Sequence, residues 1–240
     1  MRYKAIFFDR DGVLTTFNSE KIAWRDQTIA AWSGRSFHLS YDTMMELFAL
    51  AAEGRKQWYQ NVEDERAFFK RFYRVLLMHE GVAEDLDMRA TRLFEELWCN
   101  HDRLLCPETV EVLEYFHHKG YRMGVISDTS PSLEYTLQQL GIASYFTSFT
   151  ASSLVGAGKP SPVIFNAALR AQGVSAGESL YVDDNQTEAD GARAQGFTSF
   201  WLNRSGSDTG EWTITSLKQL LSFVEREEKR EDPTNGYCLP

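Results

Sequence analysis

The sequence has no long apolar run, and this absence limits the kinds of protein it can encode. A membrane-spanning helix needs roughly 18 or more consecutive apolar residues, and no such stretch occurs. Residues 1–4 lead directly into a short apolar segment, without the apolar region and cleavage site that are typical of a signal peptide. We therefore expect a cytoplasmic protein that does not have a membrane as its partner.

Cysteine and positive charge are also scarce. The three cysteines, Cys99, Cys106 and Cys238, cannot all pair and form no CxxC motif, so we expect neither a disulfide framework nor a structural zinc site. The chain has 25 Lys and Arg against 34 Asp and Glu, which gives a formal charge of −9. This balance disfavours nucleic acid as a partner, although one site can still bind a small anion.

Apolar residues, in contrast, are plentiful enough to bury a substantial core. Of 240 residues, 43% are hydrophobic and 13% aromatic, and this length suits one large domain or two small ones. Residues 16–104 have a helical pattern, with apolar residues at spacings of three and four. After Cys106, helices and short apolar strands alternate, which predicts a parallel sheet with helices on both faces.

The segments can be placed from apolar runs and from helix start and stop signals. Strands are predicted at 5–8, 122–126, 180–182 and 200–202. Helices are predicted at 107–118, 130–141, 161–173 and 217–227, and a further helix follows the strand at 180–182 and ends near Gly196. Ser130-Pro131 and Ser161-Pro162 are typical of an N-cap followed by proline in the first helical position. Because the first strand must join the sheet, we predict a discontinuous α/β core, 1–15 and 105–240, with 16–104 inserted as an all-α cap that acts as a lid.

Two aspartates directly follow the first strand. Asp9 and Asp11 are followed by Gly12, where a tight turn would let both carboxylates face the crevice at the strand ends. Paired carboxylates repel each other, so a cation is the expected companion, and oxygen ligands suit Mg²⁺. The alternative for residues 9–12 is a surface turn with solvated charges.

Further polar groups occupy equivalent places along the predicted sheet. Ser127 follows the second strand, Lys159 precedes the helix that starts at Ser161, and Asp183 and Asp184 follow the strand at 180–182. A hydroxyl, an ammonium and carboxylates suit phosphoryl binding, charge neutralisation and metal ligation. Taken singly, each could be a helix cap or a surface charge, so their joint placement carries the argument.

Four strings, DRDGVL, VISDTS, GKPSPVIFNAAL and YVDDNQTEADGARAQGF, resemble the four motifs of the haloacid dehalogenase (HAD) superfamily. The resemblance covers about residues 1–15 and 105–225. The helical segment is similar in position and size to the α-helical cap of subfamily I. The resemblance implies a doubly wound, Rossmann-like core and a hydrolase.

The same resemblance implies roles for the carboxylates. Asp9 would be the nucleophile and a Mg²⁺ ligand, forming an aspartyl-phosphate. Asp11 would protonate the leaving oxygen and later take a proton from water, while its backbone carbonyl binds the metal. Asp184 would complete the metal site, and Asp183 would assist it. Asp183 stands where many relatives have Gly, and Ala189 where some have a further Asp.

Substrate contacts are implied in the same way. Ser127 would hold a phosphoryl oxygen, and Lys159 would neutralise charge between Asp9 and the phosphoryl group. Asp128 and Thr129 complete the motif as candidate substrate-binding residues, although repulsion should turn the carboxylate of Asp128 away from phosphate. From the cap, Arg55 and Lys56 are candidates for contact with an anionic substrate, with a solvated helix end as the alternative.

The function that the resemblance implies is a Mg²⁺-dependent phosphatase of a small phosphorylated metabolite. We expect the chain to be a monomer or homodimer. Alternatives are a sugar-phosphate mutase of the same fold and a non-catalytic binding or regulatory protein on a HAD scaffold. Dehalogenase chemistry is disfavoured because those relatives lack an acid at the position of Asp11.

Overall fold

The apolar run at the start of the chain forms a strand whose four side chains are all buried. In this computed structural model, which describes residues 2–54, 59–99, 101–206 and 210–231, it is the first of eight strands. The strands are β1 (Ala5–Phe8), β2 (Thr15–Phe17), β3 (Arg103–Leu105), β4 (Arg122–Ser127), β5 (Ser148–Ala151), β6 (Ser179–Asp183), β7 (Thr198–Leu202) and β8 (Thr213–Ile214).

Six of these strands form one sheet in the order β5-β4-β1-β6-β7-β8, and every neighbouring pair is parallel. β1 lies at the centre, with Phe8 paired with Val125 of β4 and with Val182 of β6. The chain builds one half of the sheet through β4 and β5 and then the other half through β6. Such a switch point leaves a crevice outside the carboxyl ends of the strands. The α/β, doubly wound fold predicted from the sequence is confirmed.

The helices fill the intervals between the strands. They are α1 (Ser19–Ser33), α2 (Tyr41–Ala51), α3 (Val62–His79), α4 (Leu86–Leu97), α5 (Thr109–His118), α6 (Leu133–Gln139), α7 (Ser152–Val155), α8 (Pro162–Gln172), α9 (Gln186–Ala194) and α10 (Lys218–Glu231), with 3₁₀ turns at Ala143–Tyr145 and Ala176–Glu178. α8 begins and ends as predicted, since the Ser161 hydroxyl accepts the N–H of Val163 and Gly173 adopts a left-handed conformation. No described helix is long and apolar enough to cross a membrane.

Two sets of expectations differ from the structure. The strands β2, β3, β5 and β8 and the single-turn helix α7 were not predicted. The predicted N-cap at Ser130 is wrong: α6 begins at Leu133, and the Ser130 hydroxyl donates instead to Glu65 at 2.8 Å.

The chain divides into two units. Unit 1 comprises the described residues of Met1–Thr16, Leu105–Thr129 and Gly141–Pro240, and contains the six-stranded sheet. Unit 2 comprises Phe17–Leu104 and Ser130–Leu140, and is helical apart from the strand residues at its ends. The core and cap boundaries predicted from the motifs stay a prediction.

Unit 2 has its own core, to which α3 contributes a stripe of buried residues, Phe68, Phe72 and Leu76, spaced by four. One turn earlier on α3, the carboxylate of Glu65 is 1% exposed. It accepts hydrogen bonds from Trp98 Nε1 at 3.1 Å, and from the Ser132 hydroxyl at 2.7 Å and backbone N–H at 2.8 Å. Together with the bond from Ser130, these contacts satisfy the buried carboxylate and explain why residues 130–140 group with unit 2.

Candidate active site

The candidate site is built by the carboxyl ends of the three central strands of unit 1. Asp9 directly follows β1, and its backbone N–H donates to the Val182 carbonyl at 2.9 Å. Ser127 is the last residue of β4, and Asp183 is the last residue of β6, with Asp184 next. Parallel strands end on the same edge of a sheet, so these side chains are gathered by the topology.

Lys159 is the centre of the site. It lies in the loop before α8, with its side chain 2% exposed, and its Nζ lies 2.8 Å from Asp9 Oδ1, 2.8 Å from Asp183 Oδ2 and 2.7 Å from Glu188 Oε2. Burial acts to lower the pKa of Lys159, but the attraction of these three carboxylates outweighs it and raises the pKa above its usual value. Lys159 is therefore held as a cation.

Asp9, the candidate nucleophile, has a pKa well above that of an ordinary aspartate. Burial raises the pKa of Asp9 to about 7, with the attraction of Lys159 opposing this rise and the charge of Asp183 adding to it. Burial and the neighbouring charge of Asp183 also raise the pKa of Asp184. Three carboxylates, those of Asp9, Asp183 and Glu188, share the ammonium of Lys159, and the Asp184 carboxylate lies beside two of them, so the cluster carries an excess of negative charge that a cation would relieve.

The chemistry of the donor set fits Mg²⁺. Oxygen atoms of Asp9, Asp183 and Asp184 lie within 4.8 Å of one another, and all are hard carboxylate donors of the kind that Mg²⁺ prefers. Asp183 enters this group with its oxygens already accepting hydrogen bonds from the Asn185 N–H at 2.9 Å, from Lys159 and from the Tyr181 hydroxyl. Asp184, in contrast, is exposed, so it is the better placed of the two to offer a free oxygen.

Gly12 lets the loop after β1 approach this group of carboxylates. Its φ is +80°, and a Cβ atom built there would lie 2.0 Å from Asp184 Oδ2. Any other residue at position 12 would both strain the backbone and displace the Asp184 carboxylate. The glycine that the sequence assigned to a tight turn is therefore also a contact surface for the candidate metal site.

The Asp11 carboxylate is not part of the group formed by Asp9, Asp183 and Asp184. It accepts hydrogen bonds from Arg10 Nε at 3.1 Å, Arg10 Nη2 at 2.8 Å and the Thr15 hydroxyl at 2.9 Å. The Arg10 side chain is 5% exposed and that of Asp11 is 31% exposed, so this bidentate ion pair is shielded from water on its arginine side. Arg10 thus fixes the carboxylate that the sequence proposed as an acid.

The remaining predicted substrate contacts have different placements. Ser127 is buried at the strand end, while the carboxylate of Asp128 accepts the Lys159 backbone N–H at 3.0 Å. The Thr129 N–H donates to the Ser152 hydroxyl at 3.0 Å, so Asp128 and Thr129 organise the loops. The cap candidates Arg55 and Lys56 lie outside the described residues.

Sequence reasoning missed Glu188 and Tyr181. It considered Ala189 as the position for a further acid on α9, whereas the adjacent Glu188 supplies a carboxylate to Lys159. The signal that could have found it is an acidic residue in the first turn of the helix that follows a site-bearing strand. Tyr181 is fully buried, and burial together with the charge of Asp183 raises its pKa well above its usual value, so its hydroxyl donates to Asp183.

Comparisons with known proteins agree with this arrangement. A model of the haloacid dehalogenase-like hydrolases matches residues 3–196. The chain is 26% identical over 233 residues to a phosphoglycolate phosphatase of Vibrio parahaemolyticus, covering 92% of this chain and 96% of that protein. It is 27% identical over 150 residues to a (S)-2-haloacid dehalogenase of a Pseudomonas species, covering 59% of this chain and 63% of that protein.

A comparison of folds gives the same result. The crystal structure of a 2-haloacid dehalogenase from Pseudomonas syringae matches with a TM-score of 0.67 at 23% identity, covering 94% of this chain and 99% of that one. The similarity in fold thus extends over nearly the whole chain. The chain belongs to the haloacid dehalogenase-like hydrolase family.

Proposed function

We propose that this hydrolase is a Mg²⁺-dependent phosphatase that acts on a small phosphorylated metabolite through an aspartyl-phosphate at Asp9. The observation that carries the proposal is the position of Lys159 Nζ, 2.8 Å from Asp9, beside a group of three carboxylates with an all-oxygen donor set. Phosphoryl transfer mainly needs positioned groups and neutralised charge. The similarity to a phosphoglycolate phosphatase over nearly the whole chain supports the same reading.

In this proposal, a carboxylate oxygen of Asp9 attacks the phosphorus atom, the bond from phosphorus to the ester oxygen breaks, and Asp11 donates the proton with which the substrate alcohol leaves. Water then attacks the same phosphorus atom and gives a proton back to Asp11, and the bond between Asp9 and phosphorus breaks, which releases phosphate and restores the carboxylate. Lys159 neutralises charge on Asp9 and the phosphoryl group, and Ser127 donates to a phosphoryl oxygen. A Mg²⁺ ion held by Asp9, Asp183, Asp184 and the Asp11 carbonyl would supply further positive charge there.

Asp11 needs a local rearrangement to take part. Its carboxylate must exchange the fork of Arg10 for the leaving oxygen before it can donate a proton. We propose that Arg10 orients Asp11 between turnovers and that substrate entry releases it.

The test must separate phosphatase from dehalogenase activity, since relatives with both names exist. Purified full-length chain is incubated with Mg²⁺ and a panel of phosphorylated sugars, nucleotides and glycolytic acids, and in parallel with small 2-haloacids. Released phosphate and released halide are measured. We expect phosphate alone. Halide release would overturn the proposal, and an isomeric phosphate ester would indicate a mutase.

Mg²⁺ binding should depend on pH. An unfolded Asp titrates near pH 3.9, so with a folded pKa of about 7 the metal-free protein loses stability as pH rises from about 4 to 7. Mg²⁺ requires the ionised carboxylate, so its binding becomes more favourable over the same window. We expect the rise in Tm caused by Mg²⁺ to be larger at about pH 8 than at about pH 6.

The matched control is Asp9→Asn, which has no proton to lose at residue 9 and should show a smaller difference between the two pH values, with the raised pKa of Asp184 as the remaining contribution. Thermal unfolding with and without Mg²⁺ gives all the required values. Equal Mg²⁺-dependent rises at both pH values in the unsubstituted protein would contradict the shifted pKa of Asp9.

A further inference from the structure

An arginine beyond β7 contacts the loop that carries the proposed acid. Arg204 Nε donates to the Gly12 carbonyl at 2.9 Å, and Arg204 Nη2 donates to the Val13 carbonyl at 2.8 Å. The third guanidinium nitrogen of Arg204, Nη1, lies 2.6 Å from Glu108 Oε1. The proposed chemistry gives no role to either Arg204 or Glu108.

Glu108 supplies a fixed anchor for this arginine. Its side chain is 9% exposed, against 34% for Arg204, and it also accepts the Leu217 N–H at 3.4 Å. Burial acts to raise the pKa of Glu108, but its hydrogen bond with Arg204 and the further bonds to backbone N–H groups hold it below the usual value. Glu108 is therefore ionised at neutral pH, and its contact orients the Arg204 guanidinium before any ligand binds.

The loop that Arg204 holds is the one that packs against the candidate metal group. Gly12 touches the carboxylate of Asp184 so closely that no Cβ fits between them. Three residues before Arg204, Trp201 contacts the residue on the other side of this close approach: Trp201 Nε1 donates to the Asp184 backbone carbonyl at 2.9 Å. Trp201 and Arg204 thus brace the loops after β6 and β1 respectively.

We propose that Arg204, oriented by Glu108, is a positioning residue for the metal site, because it holds the Gly12–Val13 carbonyls so that the loop seats Asp184 correctly. This inference rests on the proposed Mg²⁺-dependent function. Without the fork, the loop would keep its internal bonds, such as that from the Gly12 N–H to the Thr15 carbonyl, but the Gly12 and Val13 carbonyls would lose the donors from Arg204. The position of the loop against Asp184 would then be less well fixed before the metal binds. Residues that orient metal ligands typically contribute about 10–100-fold to metal affinity or activity.

The experiment measures binding of Mg²⁺ alone to the full chain by titration calorimetry, with no substrate present. We expect Arg204→Gln to weaken Mg²⁺ binding by roughly 10-fold or more. Arg204→Lys should rescue only part of this, since an ammonium lacks the planar fork that reaches two carbonyls and Glu108 together. In turnover assays, raising the Mg²⁺ concentration should recover most of the kcat of Arg204→Gln.

Arg193→Gln is the matched control. Arg193 also donates to a backbone carbonyl, that of Ser199 at 2.8 Å, and pairs with an acid, Asp190, but it does not hold the Gly12 loop. It should bind Mg²⁺ as the unsubstituted protein does. Should Arg204→Gln not fold, Glu108→Gln tests the same idea, because it removes the charge that orients Arg204 and should weaken Mg²⁺ binding by a smaller factor.

The outcomes are distinct. Unchanged Mg²⁺ affinity in folded Arg204→Gln, or in Glu108→Gln where that variant replaces it, overturns the positioning role and leaves the proposed phosphatase intact. An equal loss in Arg193→Gln also overturns it, because the effect would then be general. An unsubstituted chain that binds no Mg²⁺ overturns the metal site itself, and with it both proposals.

Discussion

Asp9→Asn is expected to abolish phosphate release, with a loss on the order of 10⁴-fold or more in kcat. An amide is a poor nucleophile and a weaker metal ligand than a carboxylate. Asn has nearly the same shape as Asp, and the backbone bond from residue 9 to the Val182 carbonyl does not depend on the side chain. The measurement is the release of phosphate from a small aryl phosphate in the presence of Mg²⁺.

Two controls make this result specific. Asp87→Asn changes an exposed carboxylate that pairs with Arg74 in unit 2, and should leave turnover unchanged. Beryllofluoride, which mimics a phosphoryl group on a carboxylate, should bind to the unsubstituted protein and not to Asp9→Asn. Full activity in Asp9→Asn would rule out the aspartyl-phosphate.

Asp11→Asn is expected to lower the rate by roughly 10²–10⁴-fold for substrates with a poor leaving group. The substitution removes the proton that the leaving oxygen needs but keeps the backbone carbonyl that is proposed to bind the metal. For nitrophenyl phosphate the loss should be much smaller, because nitrophenolate leaves without a proton. Rates for an alkyl and a nitrophenyl ester, measured side by side, give the comparison.

Arg10 provides a second check on the role of Asp11. Its fork binds both oxygens of the Asp11 carboxylate, so Asp11→Asn replaces a charged pair with a weaker contact. That change alone would slow both esters alike, whereas loss of an acid slows mainly the alkyl ester. Equal losses for the two esters would therefore remove the acid role and leave Asp11 as a structural partner of Arg10.

The parts of the fold that sequence reasoning predicted are those with a strong local signal. The run Ala5–Phe8 is apolar at every position and forms the central strand. Ser161 and Gly173 delimit α8 because their effects act within a few residues. β5 was missed because two of its three buried positions, Ser148 and Thr150, are polar and the third is only an alanine, so the strand gives no apolar pattern. β2, β3 and β8 have only two or three residues, too few for any periodicity.

The candidate site also contains residues that a local signal predicts and contacts that no local signal predicts. Asp9, Asp183 and Asp184 were predicted to lie together because each follows a strand, and the structure brings them together. The contacts of Arg10 and Arg204 could not be predicted, because long side chains reach partners that depend on how several loops pack. Ser130 was misassigned for a related reason, since a buried carboxylate distant in sequence accepts its hydroxyl in place of the local backbone.

The contacts of Glu65 also set an order in time. Its partner Ser132 lies 67 positions later in the chain, so at about 5–20 residues per second a ribosome needs roughly 3–13 s to add the missing segment. During that interval the nascent helices of unit 2 contain a carboxylate whose serine donors do not yet exist. β4 is synthesised before those donors, so the helical unit can complete its hydrogen bonds only after part of the sheet has left the ribosome.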